Sequence, residues 1–436
     1  YSCNHFFYGG IILRIAVVGS GISGLVSAYL LQQKHEVTLL EKNDRIGGHS
    51  RTLNVAEQGR DIPVDTGFIV FNRETYPTLW PLFEHLEVPI KASDMSFGVS
   101  LDDGRVEYGT VPLKALFAQR RHLFSQKHWR MLSDIQRFNR EALDLLESEG
   151  KPSLGEFLKD NGYGEPFIQR FILPMAASIW SSAASEIMAF PAKHLIRFFA
   201  NHGLLDPQHR KQWFTVDGGS QEYVKRLVAD FRGEIKTGVQ IDCVQRSADA
   251  AQILYQDGSS QEFDSVVLAC HSDQSLKLLA ESASPLEQKV LGDLRYQSNE
   301  VILHSDKSLM PKNRKCWQSW NYISESGAYG EPRVCLSYWM NRLQSIQSDK
   351  PLIVSLNPER RPEESLTHDI WHTEHPIFDQ KATDAQSQLE QIQGKDRVWF
   401  AGAWQSYGFH EDGAISGLKV ARALGCDLPW ESQKCA

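Results

Sequence analysis

The chain has 436 residues, 42% hydrophobic and 23% charged, an apolar share that supports a packed core and excludes disorder as its general state. Its 46 basic and 54 acidic side chains leave a net charge of −8, which speaks against a dedicated nucleic-acid binder, because phosphate contacts need clustered cations. Seven widely spaced cysteines without a C-x-x-C pair make neither a disulfide framework nor a zinc ribbon, so no metal is expected and a reducing, cytoplasmic location fits; the length allows two or three domains.

Residues 1–12, beginning at Tyr1, read as an N-terminal extension. The mostly apolar stretch 6–31 has the length of a membrane span, but its pattern is strand, turn and helix. A β-branched run at 15–18 is followed by Gly19-Ser20-Gly21-Ile22-Ser23-Gly24 and then by helical spacing over 25–31. This G-x-G-x-x-G permits a tight turn, a close approach to a pyrophosphate and close helix–sheet packing, with the helix N-terminus facing the phosphates. Residues 36–41 form a second strand ending in Glu41, 22 positions after Gly19, where a ribose-binding carboxylate is expected. The chain continues through Lys42, Arg45, Gly47, Gly48 and His49 in a double-glycine turn, then Asp65, Thr66, Gly67 and Phe68.

Between 108 and 133 there are five cations (Lys114, Arg120, Arg121, Lys127, Arg130) and no acid, interleaved with large apolar residues such as Phe124 and Trp129. Such a segment suits peripheral contact with an anionic membrane at its inner face; the alternative is a solvated helix face with an apolar side in the core. Helical spacing marks 129–146 and 167–180. After Val216-Asp217-Gly218-Gly219-Ser220 come a helix at 221–231 and a strand over 234–245 that includes Val239, then strands near 251–256 and 262–270. Short β-branched and aromatic runs near 300–303, 317–323, 334–339 and 352–355 predict a mostly antiparallel sheet. At the C-terminus a strand over 397–402 ends in Gly402, and a helix opens at Glu411-Asp412-Gly413-Ala414 and runs to about 424.

The turn after Glu41 and the C-terminal strand–loop–helix resemble the FAD-binding superfamily of flavin amine oxidases, protoporphyrinogen oxidases and phytoene desaturases. The resemblance implies an α/β fold in which a Rossmann-like, glutathione-reductase-type FAD domain is assembled from 13–75, 213–285 and 395–436. An interleaved α+β substrate domain then takes 76–212 and 286–394. It implies FAD as cofactor, held by residues 19–24, Glu41, Lys42, Arg45, Gly47, Gly48, His49, Asp65, Thr66, Gly67 and Phe68. Val239 is assigned to the adenine end, and Gly402, Glu411, Asp412 and Ala414 to the flavin end.

Motifs VDTGFIVFNRETYP (64–77), SDMSFGVS (93–100), RFNREAL (137–143), FILPMAASIWS (171–181) and AGAWQSYGFHEDG (401–413) narrow the resemblance. They are similar to bacterial flavoproteins of the predicted NAD/FAD-binding type and to the N-terminal oxidase-like domain of plant cyclopropane-fatty-acid synthases. That resemblance implies a partner methyltransferase of the cyclopropane-fatty-acid-synthase kind, and a desaturase or oxidase acting on a methylated phospholipid acyl chain. Against simple amine oxidation, His410 stands where those oxidases place an aromatic cage member, and Gly402 is followed by Ala403 rather than glutamate. His410 and Glu411 are the candidate catalytic groups, an imidazole being able to hold or release a proton near neutral pH. Trp320, Asn321, Tyr322, Trp404, Tyr407 and Phe409 are candidate pocket residues, with core packing as the alternative. A flavin amine oxidase for a small amine and a non-catalytic flavoprotein partner of the methyltransferase remain as other readings.

Overall fold

Strands Glu234–Lys236, Glu36–Leu40, Arg14–Val18, Ser265–Leu268 and Val398–Phe400 lie side by side in that order, all parallel. Parallel strands need cover on both faces, and this sheet has it: Ile15, Val17, Val267 and Phe400 are completely buried. The computed structural model describes residues 11–180, 184–206, 211–247, 249–324 and 335–430; most of the expected N-terminal extension, residues 1–10, lies outside them. The mixed α/β, Rossmann-like arrangement expected from the turns is what the chain adopts.

Helix Ile22–Leu31 is buried along its whole length, because the C-terminal helix His410–Ala423 covers the side away from the sheet. The two approach through small residues. A Cβ on Gly413 would sit 2.7 Å from Ile22 Cγ2, and one on Gly417 would sit 2.5 Å from the Ser23 carbonyl. This close pairing sets both helix N-termini at the carboxyl end of the sheet, where ligands of open α/β sheets bind.

Two expected strands prove to be divided. The one over 234–245 breaks after Lys236: Gly238 takes a φ of +67° and Val239 donates to the Glu41 carbonyl, so Val239 is a loop residue. Ile241–Arg246 then joins Ala251–Tyr255 and Ser260–Phe263 in a separate antiparallel sheet. The strand over 262–270 splits at Asp264, whose carboxylate accepts from the Arg14 amide at 2.6 Å.

The second layer is a seven-stranded, mostly antiparallel sheet with 295–304, 353–356, 335–339, 320–323, 97–101 and 106–109 inside or at one edge. Its other edge is Thr367–Ile377, eleven residues long and absent from the sequence reading. That strand is polar at most positions and contains Pro376, which an edge strand tolerates because it need not donate on its outer side. Helices between 126 and 201 pack an apolar cluster around Phe138, Phe167 and Phe199. The helix expected over 167–180 carries a π turn at Ile168–Ile172 just before Pro174, whose missing N–H and ring disturb the normal ladder. No helix among the described residues is long and apolar enough to cross a membrane.

Candidate functional site

Two turns meet at the end of the parallel sheet. Gly48, at φ +55°, comes so close to the first turn that a Cβ would lie 2.9 Å from Gly21 Cα. Gly47 donates to the Ser20 carbonyl at 3.1 Å, and Arg45 holds the second turn by donating to the carbonyls of Ser50 (2.9 Å) and Gly48 (2.6 Å). Gly21 caps the helix Ile22–Leu31 without a side-chain bond, and a Cβ there would meet nothing within 4 Å. An uncapped helix N-terminus beside an open backbone is a ready anion site. Glu41 is buried beside it, oriented toward the first turn by Ser20 N (2.9 Å), Ser20 Oγ (2.6 Å) and Asn43 N (2.9 Å), all of which donate to its carboxylate. Val239 lies next to Glu41, while Lys42 is exposed. The residues present fit an extended dinucleotide such as FAD: backbone N–H groups for phosphate, and a carboxylate for ribose.

At the other helix, His410 is stacked on Phe68 with ring centroids 3.8 Å apart and planes within 9°. Its Nε2 lies 2.8 Å from the Tyr223 hydroxyl and 3.3 Å from Ser50 Oγ, and Ser50 and Tyr223 share a short hydrogen bond. Burial, then the neighbouring His49, pushes the His410 pKa down to about 3, so the ring is neutral. Phe68 is placed by its amide donating to the His49 carbonyl (2.9 Å), and Gly67 leaves no room for a Cβ against that same carbonyl. Thr66 ties to the Arg51 carbonyl instead of facing the turns.

Several expected site residues have other work. Both oxygens of Glu411 accept from the first amides of helix Leu79–His85, Thr78 at 2.7 Å and Leu79 at 3.0 Å. Glu411 is therefore a helix cap rather than an open base, and burial still raises its pKa to about 7. Asp412 folds back onto the Phe409 amide (2.9 Å), and its pKa is raised to about 6 by burial. Asp65 does not face the turns: it accepts from Thr52 Oγ1 (2.6 Å), Ser220 N and Oγ (2.9 and 2.8 Å) and Gln344 Nε2 (2.7 Å). Trp404 is buried, its Nε1 donating to the Cys270 carbonyl at 3.0 Å, and Asn321 is a buried link between Gln318 and Ser337. Gly402, extended, donates to Ser416 Oγ, and Ala414 is buried at the pairing of the two helices.

The remaining aromatics converge. Tyr407, Phe409, Trp320 and Tyr322 all pack on the helical cluster. Phe409 stacks on Phe198 at 4.8 Å, and Tyr407 lies 4.3 Å from His194. His194 and His202, on the same wall, are held neutral by burial with pKa values of about 4. Sequence reasoning missed Tyr223 and Ser50. It also missed a group on the far side of His49, where Thr373 bonds His49 (2.7 Å) and His375 and His271 lie 5.7 and 6.2 Å away, ring to ring. The only signal for these was the H-x-x-H spacing of His372 and His375 on a strand that was not read as one.

Comparison with known proteins shows the family and the fold. The profile of the flavin containing amine oxidoreductase family matches residues 22–425. Among solved structures, a CLA-producing fatty acid isomerase from P. acnes superposes with a TM-score of 0.66 at 18% identity, covering 94% of this chain and 98% of that one. Cyclohexylamine oxidase from Brevibacterium oxydans IH-35A gives 0.64 at 15% identity over 95% and 99%. A 4,4'-diapolycopen-4-al dehydrogenase from Metabacillus indicus is 50% identical over 48 residues, a match spanning 11% of this chain and only 9% of that enzyme.

Proposed function

This chain belongs to the flavin containing amine oxidoreductase family and is an FAD-dependent oxidoreductase; we propose that within the family it removes a hydride and a proton from a methylated fatty-acyl chain of a phospholipid, leaving a double bond. The observation that carries this reading is the character of the wall beside His410. It consists of the rings of Phe409, Phe198 and Tyr407 with the neutral imidazoles of His194 and His202, and it reaches His410 through Phe409, the residue before it. The two nearest carboxylates, Glu411 and Asp412, are turned to backbone amides. An ammonium would find no counter-ion in those groups, whereas a hydrocarbon chain needs none.

When bound, FAD supplies the two-electron acceptor. The chain supplies an apolar wall and a weak base. A proton next to a carbon that has already lost its hydride is strongly acidic, so a histidine with a pKa near 3 suffices to receive it. The same histidine would be too weak to start the reaction by deprotonation. Tyr223 and Ser50 hold the ring in place from behind. On this reading a cyclopropane-fatty-acid-synthase-like methyltransferase acts upstream, as the source of the methyl branch.

Anaerobic bleaching of the flavin tests the reading, with methylated phospholipids set beside a panel of small amines. Bleaching by the phospholipids, with a product two hydrogens lighter, is expected; bleaching by amines alone overturns it. His410→Ala should slow that reduction by roughly 10²-fold, the low end for a proton-transfer group, with FAD still bound. An unchanged rate removes His410 from the chemistry.

A further inference from the structure

We infer that the surface formed by residues 113–130 docks onto an anionic lipid bilayer, so that the acyl chain comes from membrane lipid rather than from free fatty acid. The second half of this statement rests on the acyl reading above; the surface itself does not. Of nine large hydrophobic side chains exposed among the described residues, four fall here: Leu113 (73%), Leu123 (47%), Phe124 (91%) and Trp129 (51%).

They are held out by a built scaffold. Two 3-10 turns, Leu113–Phe117 and Arg120–Phe124, lead into the helix Gln126–Glu141, which Ser125 caps by accepting from His128 N. Trp129 Nε1 donates to the Leu123 carbonyl at 2.9 Å, tying the helix to the end of the second turn. Beneath them the buried rings of His122 and His128 stack 4.3 Å apart, and Phe117 packs on both His128 and Trp129. Phe124 is thus fixed at a tip, with no neighbour to shield it.

The charge around the tip points to the occupant. Lys114, Arg120 and Lys127 are exposed and have no ion pair among the described residues. Arg130 is paired with Asp134, and Arg121 is turned toward the Arg105 carbonyl and Gln119. Two acids on the adjoining turn, Asp102 and Asp103, are offset by Arg105 and Lys312. A protein partner would want a contiguous apolar core with lysine depleted. Single aromatic and aliphatic side chains standing between lysines and arginines instead suit a lipid headgroup layer, where rings enter the acyl boundary and cations meet phosphate. Leu116, Met131 and Leu132, on the inner side of the same elements, pack in the cluster that also holds Tyr407 and Phe409. The docking face and the wall beside His410 therefore share one apolar body.

The test is co-sedimentation of the full-length holoprotein with phosphatidylcholine vesicles and with vesicles containing about one-third phosphatidylglycerol. Binding to the anionic vesicles that weakens in high salt is expected. Each of Lys114→Gln, Arg120→Gln and Lys127→Gln should lower partitioning about fivefold, and Phe124→Ser about tenfold, with flavin content unchanged. Equal binding to both vesicle types, no binding, or variants that bind like the parent would overturn the inference. So would a concentration-dependent dimer that Phe124→Ser dissociates, since a second copy would then cover the face. Loss of vesicle binding with flavin bleaching by micellar acyl lipid intact would remove the surface and leave the acyl reading standing.

Discussion

Replacing Gly417 by alanine sets two physical effects against each other. In a helix interior the change gains about 1 kcal/mol from propensity alone, so a helix that merely lies on the surface would be stabilised. Here the new Cβ would stand 2.5 Å from the Ser23 carbonyl and 3.1 Å from the Ser27 amide. Both are backbone atoms of the buried helix Ile22–Leu31, which cannot rotate away. Restoring an ordinary contact of 3.4 Å requires the two helices to separate by about 0.9 Å. Overpacking of this kind costs about 1–3 kcal/mol, which outweighs the propensity gain.

The separation has a second consequence. His410 sits at the start of the same helix, and Gly21 opens the other, so moving one against the other displaces the two helix N-termini that meet at the carboxyl end of the sheet. Gly417→Ala should melt a few degrees below the parent and release FAD faster, read by flavin fluorescence during a thermal ramp. Gly413→Ala should be milder, because its Cβ would meet the side chains of Ile22 and Ser23 (2.7 and 2.9 Å), which can shift. Lys419→Ala, on the exposed face of the same helix, should leave both readings alone. A Gly417→Ala protein that melts at or above the parent and keeps its FAD refutes the close-packing argument.

Two further outcomes follow from buried polar groups. Asp65→Asn replaces one of the two accepting oxygens by an NH₂, which then faces either the Gln344 donor or those of Thr52 and Ser220; a buried donor left unpaired should cost about 1–3 kcal/mol in urea denaturation, and an unmoved midpoint would contradict the hub role. The pH dependence of stability should be steep on the acid side. Eight histidines (49, 128, 194, 202, 271, 304, 375 and 410) are pushed down to about 4 or 3, chiefly by burial, so their contribution is full above pH 6.5 and is lost as pH falls toward those values. Glu411, raised to about 7, and Asp65 and Asp412, raised to about 6, act in the opposite sense and lose stability as pH rises from about 4 to 7. Eight groups against three make the net slope positive, so melting temperature should drop between pH 7 and 5; a flat profile would show that these rings are not neutral in the fold.

The parallel sheet was legible because its signals are local. A β-branched run, three glycines and an acid 22 positions on specify strand, turn, helix and strand within thirty residues, and a buried strand reads as continuous apolar sequence. Strand Thr367–Ile377 has neither property. Its outward face is exposed and its alternation mixes histidine, aspartate and glutamate, so only its pairing with Arg295–His304 identifies it. The break at 237–240 was equally hidden, since Val239 and Ile241 look alike as strand residues until Val239 is seen to hydrogen-bond Glu41.

The site divides along the same line. Residues that act through their backbone, such as Gly21 and Gly48, are recognisable because glycine at a fixed offset has few other reasons to be there. Residues that act through a side chain are not, because a carboxylate or a ring serves chemistry and architecture with the same atoms. Glu411 shows the difference most sharply. An acid at the mouth of the last helix suggests a base, yet its oxygens are 2.7 and 3.0 Å from the amides that open helix Leu79–His85. Those amides have no partner within the helix, so without Glu411 they would be left unpaired, and the segment leading from Phe68 to that helix would lose its anchor to the C-terminal helix. Because Phe68 is the residue on which His410 stacks, Glu411 fixes the segment behind the imidazole, and its two oxygens are already engaged by the Thr78 and Leu79 amides.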